Sequence, residues 1–162
     1  MRITTRTQGG NKINTAIKSI MDKILKHNAV LVGVPSGTQP YEDGVQTAVI
    51  AAVQEFGSAD GRIPERSFLR TPLRSAMKPL ALIVKNQMPS VIDGKITMHQ
   101  LLNQLGAKGA SVSQEAIADF IPPPLSPRTI AARRRANRPS DTPLLDTGHL
   151  RSSITYIVEG DS

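Results

Sequence analysis

The sequence predicts an α+β fold: a small, mainly antiparallel sheet packed by several helices, with a long helix at the N-terminus. Three observations point there. Apolar residues recur at helical spacing through most of the chain. The two clearest strand patterns, Ala29–Pro35 and Ser153–Glu159, stand far apart in sequence. Strand and helix patterns alternate too rarely for a parallel βαβ array. The 162 residues suit one domain, 1–162, with a modest core.

The elements follow in order. Ile13, Ile17, Ile20, Ile24 and Leu25 form an apolar stripe over Asn11–His27, the helix of an N-terminal segment 1–28. Ala29–Pro35 is β-branched and closed by proline, as a strand is. Residues 36–44 form a turn-rich loop, expected to order only on assembly. Thr47–Phe56 fits strand or helix; its alanines and the Gly57 stop favour helix. Residues 57–70 form a long connection with Gly61 and Pro64. Thr71 and Pro72 read as N-cap and first residue of a helix, which Pro79 should kink or break.

Thr97–Leu105 reads as a short helix ended by Gly106, and Ser111–Ile121 as another, with Ser111 and Gln114 as a capping box. Pro122–Pro124 stops it and favours extended polyproline geometry. Ser126 and Pro127 start a helix running to about Ala136. Thr142–Leu145 reads as extended, and Thr147 can cap one helical turn. Ile154, Tyr156 and Val158 alternate onto one face of the closing strand.

Composition removes several classes of chemistry. The chain has no cysteine, so disulfides, thiolate catalysis and cysteine-based zinc sites are excluded. Three Phe, two Tyr and no Trp leave a core built from aliphatic side chains, which bury less area each; part of the burial is therefore expected from partners. No apolar run approaches the length that spans a bilayer, and the first ten residues lack the apolar stretch of a secretory signal, so no membrane association is expected.

His27, His99 and His149 have no metal-ligand spacing between them. Asp146-Thr147-Gly148 matches the aspartic protease loop, but that chemistry needs two such loops sharing a proton, and here the flanks are helix-rich. There is no phosphate-binding glycine loop and no nucleophile elbow. The expectation is a protein that is not an enzyme and takes no cofactor and no metal.

The net charge of +7 is unevenly spread. Residues 1–26 carry net +5, residues 27–61 net −4 with no Lys or Arg, residues 62–85 net +5, and residues 120–140 net +5 with no acid. Alternating blocks suit head-to-tail contacts between copies, or a basic face toward a polyanion; an unevenly charged solvated surface is the plain alternative. Arg62, Arg66, Arg70 and Arg74 recur every four residues, although Pro64 and Pro72 oppose one continuous helix there. Arg128, Arg133, Arg134, Arg135 and Arg138 form a second cluster able to meet phosphates, or an acidic neighbour. Stacking aromatics are nearly absent, so sequence-specific readout is not indicated.

Three segments in series carry a resemblance. The first is Val53-Gln54-Glu55-Phe56-Gly57 followed by Ile63-Pro64-Glu65-Arg66-Ser67-Phe68-Leu69-Arg70. The second is Pro123-Pro124-Leu125-Ser126-Pro127-Arg128-Thr129-Ile130-Ala131. The third is Pro143-Leu144-Leu145-Asp146-Thr147-Gly148-His149-Leu150-Arg151-Ser152-Ser153-Ile154. In this order and spacing they resemble the neck or tail-completion proteins of long-tailed double-stranded DNA bacteriophages, also met in prophages as virion morphogenesis or minor tail proteins. Gln54 and Ser67 stand where those families commonly have Asn and Pro. The likeness spans roughly residues 45–158.

The resemblance implies a structural virion protein of the head–tail junction, made in the host bacterial cytoplasm. It implies an oligomeric ring, usually sixfold, that completes the tail so that the filled head can join. Implied partners are further copies of the chain, other neck proteins, the tail terminator and the tail tube, with nonspecific contact to packaged DNA. A tail terminator capping the tube, or a nonspecific DNA-binding protein using the Arg128–Arg138 cluster, are the alternatives. Candidate core or interface residues within the motifs are Glu55, Phe56, Gly57, Pro64, Phe68, Leu69, Pro143, Leu144, Asp146, Thr147, Gly148, Leu150 and Ile154. Phe56 and Phe68 are expected to anchor the core or a subunit contact. Gly57 and Gly148 are expected at positive φ, and Asp146 or Thr147 to cap the turn before the last strand.

Overall fold

The computed structural model describes residues 28–138 and 141–160; the predicted helix Asn11–His27 lies outside them. The described residues form six helices and a two-stranded antiparallel sheet, an α+β arrangement. Strand β1 is Ala29–Gly33 and β2 is Thr155–Glu159, paired in the register Ala29↔Glu159, Leu31↔Ile157, Gly33↔Thr155. Between them come α1 (Thr47–Phe56), α2 (Arg70–Ser75), α3 (Met77–Ile92), α4 (Met98–Ala118), α5 (Pro127–Arg135) and α6 (His149–Ser152).

The alternation along the strands decides their orientation. Val30, Val32, Tyr156 and Val158 are half-buried, whereas Leu31 and Ile157 stand on the opposite face, exposed. Helix α4 packs against both strands and against α2 and α3, so it is the spine that joins the two ends of the chain. The core gathers Ala51, Phe68, Ala110, Ile117, Leu144, Leu150 and Ile154, drawn from the connections after α1 and after α5 as well as from the helices.

Several local expectations give way to tertiary packing. Residues 97–121 do not hold two short helices. Helix α4 runs unbroken through Gly106 and Gly109, and its N-terminus is a capping box at Thr97 and Gln100: the Gln100 N–H donates to the Thr97 hydroxyl, and the Thr97 N–H to the Gln100 side chain. Ser111 is not a cap; its hydroxyl donates to Glu115 one turn on. The glycines are there for the sheet. A Cβ at Gly106 would overlap the Tyr156 ring, and one at Gly109 would come within 2.9 Å of Val32 Cγ2. Both strands thus lie almost on the backbone of α4, and the Tyr156 hydroxyl donates to Asn103 on the same helix.

The helix that Pro79 was expected to kink or break is interrupted just before it, directly after Ser75, whose carbonyl the Pro79 ring would crowd. The interruption falls at Ala76, whose N–H donates to Pro72 and which ends α2 and opens α3. Pro79 then lies in the first turn of α3, where no intrahelical donor is required. The first helical residue of α2 is Arg70, with Leu69 at the N-cap, not Thr71 and Pro72. Thr142–Leu145 is a turn, closed by the Leu145 N–H on Thr142, and not extended. The Pro122–Pro123 bond is cis, so the triple proline is not a uniform polyproline run. Thr47–Phe56 is helical, as its alanines favoured. No helix among the described residues is long and apolar enough to cross a membrane.

Gly106→Ala separates packing from helix propensity. Propensity alone predicts a gain of about 1 kcal/mol. The clash with Tyr156 should instead cost about 2 kcal/mol, read as a lower urea midpoint. Gly37→Ala, at a position with open space around it, should stay within about 0.5 kcal/mol.

Candidate functional site

The three motif segments converge through buried polar anchors. Glu55, near the end of α1, is 3% exposed. Its two carboxylate oxygens accept from the Leu69 N–H at 2.9 Å, the Arg70 N–H at 3.0 Å, the Ser67 hydroxyl at 2.8 Å and Arg70 Nε at 2.8 Å. Four donors therefore converge on one side chain from the residues that open α2. Burial pushes the Glu55 carboxyl up, but these donors together outweigh it and hold it below its ordinary value of 4.5.

Gly57 lets the chain turn sharply after that carboxylate. Its φ is +78°, and a Cβ there would sit 3.1 Å from both Glu65 N and Ile63 O. The connection folds back so that the Arg66 N–H donates to Gln54 O at 2.8 Å, and Phe68 becomes fully buried.

Arg66 and Arg133 tie this unit to the other two motifs. Arg66 is buried, and its Nε and Nη2 both donate to the Pro123 carbonyl, at 3.1 and 2.9 Å. Burial and the nearby Arg133 lower its pKa from the ordinary guanidinium value. Arg133 donates to the carbonyls of Thr142 at 2.8 Å and Pro143 at 2.9 Å, and its Nε lies 3.4 Å from Asp146 Oδ1. Arg138 Nη1 reaches Asp146 Oδ2 at 3.0 Å. The Pro143–Gly148 stretch is thus wrapped around one guanidinium.

The predicted basic face is split by these interactions. Arg66 and Arg133 do not face outward as a DNA or lumen surface; they are internal struts, because only a guanidinium supplies several donors to clustered carbonyls. Arg70 is held by Glu55 and Glu65, and Arg138 by Asp146. Arg62 pairs with Asp60, and Arg134 lies 3.5 Å from Asp141. Arg74, Arg128, Arg134 and Arg135 remain on the exposed surface, the last three together on α5.

Of the motif residues, Phe68, Pro143, Leu144, Leu150 and Ile154 are buried and Leu69 is half-buried, whereas Pro64 is exposed. Phe56 is not a core anchor of this chain. It is 62% exposed, and the Arg70 guanidinium lies 4.3 Å over its ring. Gly148 has φ +80° and sits at the N-cap of α6, where the Thr147 hydroxyl accepts from the His149 N–H at 3.3 Å.

A cluster that the sequence did not single out surrounds His149. The 36–44 loop meets the Asp146–His149 motif across an open hollow of about 800 Å³. Thr47 donates its hydroxyl proton to Gln39 O at 2.6 Å. His149 Nε2 is 3.0 Å from both the Thr47 hydroxyl and Gln39 O. Since Gln39 O can only accept, Nε2 carries the proton in this arrangement. The Tyr41 ring stands edge-on to His149 at 4.7 Å. Burial first, then the nearby Asp146 and Asp43, raise the Tyr41 phenol above its ordinary value, against the lowering effect of its contact with the Leu150 backbone. The loop is therefore already tied down within one chain. The only signal for it in the sequence was a threonine at the start of an otherwise apolar helix.

Asp146 is held by the guanidinium groups of Arg133 and Arg138, and His149 Nε2 is engaged by Thr47 and Gln39. Among the described residues no group of three or more His, Asp or Glu is placed to hold a metal ion.

Glu55→Ala leaves two backbone N–H groups and Arg70 without their acceptor and should cost about 3 kcal/mol in chemical denaturation. The folded-state pKa lies below the ordinary one, so the stabilisation is complete above about pH 4.5 and is lost as pH falls through the folded value. Glu55→Gln should flatten that acid limb, seen as a shallower fall of Tm below pH 4.5.

No family model, no curated protein and no solved structure matches this chain.

Proposed function

We propose that this chain is a structural component of the head–tail junction of a long-tailed bacteriophage. Copies of it form a ring, sixfold by the resemblance, that completes the tail and allows the filled head to join. The neck proteins, the tail terminator and the tail tube are its neighbours in this reading, and the virion neck is its location.

One observation supports this reading above the rest. The polar groups of the motifs are consumed inside the chain: Glu55 on Leu69 and Arg70, Arg66 on Pro123, Arg133 on Thr142 and Pro143, Asp146 on Arg138. Several large apolar side chains face outward beside the charged ones: Val49, Phe56, Met77, Leu82, Ile92 and Ile157 are each more than half exposed. A building block needs apolar surface for its neighbours, and apolar side chains gathered on one exposed face, as on α1 and on α3, mark association sites. The uneven charge along the chain suits contacts between unlike faces.

Deleting the gene from its phage should leave filled heads and finished tails unjoined in electron micrographs, and expression in trans should rejoin them. Normally joined, infectious particles without the protein would refute the reading.

The exposed arginines of α5 favour a second role, nonspecific binding of DNA. Arg128, Arg134 and Arg135 lie on one nine-residue helix without a single acid. Replacing the three with Ala should weaken duplex binding and reduce the salt slope, d log K/d log[salt], by about 0.9 for each phosphate no longer neutralised. Unchanged affinity and slope would assign this surface to protein neighbours alone.

A further inference from the structure

Two helix faces of the described residues carry exposed apolar side chains, and their charged margins have opposite sign. Helix α1 buries Thr47, Ala51 and Glu55, spaced every four residues. On an α-helix, residues 49, 52 and 56 fall roughly opposite that row, and Val45 lies just before the helix. Val45, Val49 and Phe56 are 40%, 55% and 62% exposed. Glu42 and Asp43 are exposed just before this strip, and residues 27–61 contain no Lys or Arg. At the far end Arg70 is offset by Glu55 and Glu65, and Arg62 by Asp60.

Helix α3 offers the counterpart. Met77, Leu82 and Ile92 are 61%, 55% and 77% exposed. Lys78 and Lys85 stand among them on the same exposed side, and α3 contains no acid.

We infer that the α1 strip of one copy docks on the α3 face of the next, apolar against apolar, with Glu42 and Asp43 turned toward the lysines. The inference rests on the proposed ring and names its contact. A parallel two-fold pairing of α1 with α1 would set Glu42 and Asp43 against their own copies, and an antiparallel one would set them beside Arg62 and Arg70, whose charges Asp60, Glu55 and Glu65 already offset. A two-fold pairing of α3 with α3 would bring together two lysine-bearing faces with no acid on either helix. Neither two-fold pairing gives the margins a partner of opposite sign, so the unlike pairing is selected. Two different patches that fit one another make a heterologous contact, which closes into a ring or runs on as a filament.

The absence of native cysteine makes the test direct. Val49→Cys and Leu82→Cys, made separately and treated with a short bis-maleimide, should each stay uncrosslinked. An equal mixture should give a dimer on denaturing gels, and the double variant a ladder. Lys78→Glu with Lys85→Glu should cut the mixed crosslink about tenfold, and Glu42→Lys with Asp43→Lys on the other partner should restore it. Dimers from either single variant alone would replace the contact with an isologous one. A chain that assembles by mass photometry yet gives no mixed crosslink would overturn these surfaces and leave the ring standing. A chain that stays monomeric at high concentration would remove both. An intramolecular crosslink between Ile20→Cys and Val49→Cys would assign the α1 strip to residues 1–27 of the same chain, and would also overturn the inference.

Discussion

The Glu55 carboxylate is buried at the end of α1 and accepts four hydrogen bonds from Ser67, Leu69 and Arg70. A buried carboxylate is tolerable only if its oxygens are satisfied, and here the donors come from a single short stretch. That requirement fixes where the 57–70 connection must return. Phe68 is placed in the core by the same return, and Arg70 is placed over Phe56. The turn at Gly57 makes the path sterically possible.

Arginine does for the other two motifs what Glu55 does for the first. Arg66 reaches the triple proline, and Arg133 collects the carbonyls of the 142–145 turn. Prolines cannot donate, so a stretch rich in them leaves carbonyls seeking partners, and a guanidinium supplies several donors in a fixed fork. The positive charge of the chain is therefore partly architectural. Among the described arginines, Arg74 and those of α5 other than Arg133 keep their charge on the exposed surface.

The same sparing use of bulk explains the surface. With few aromatic residues the core is small, and α4 carries glycine where Tyr156 and Val32 press on it. The sheet has two strands among the described residues, and the outer face bears Leu31 and Ile157. Helix α1 buries one side and α3 half-buries one, and both leave apolar side chains exposed on the other. In the proposed assembly these faces are where neighbours dock, and the opposite charge of their margins gives the contact a direction.

Local pattern and tertiary context divided the molecule between them. Residue order alone settled the α+β class, the strands within 29–35 and 153–159, the helix after Ser126, and the positive φ at Gly57 and Gly148. In each case the cause is short-range: alternation, a cap, or a glycine freed from a Cβ. It could not tell that Gly106 continues a helix, since glycine ends helices and also admits close neighbours, and only the position of Tyr156 distinguishes the two. Nor could it separate the arginines that brace the interior from those that face outward, because a guanidinium looks the same in sequence whether it meets carbonyls or solvent. Which carbonyls come near is a matter of long-range chain return, and that was decided only when Glu55 and the core drew distant segments together.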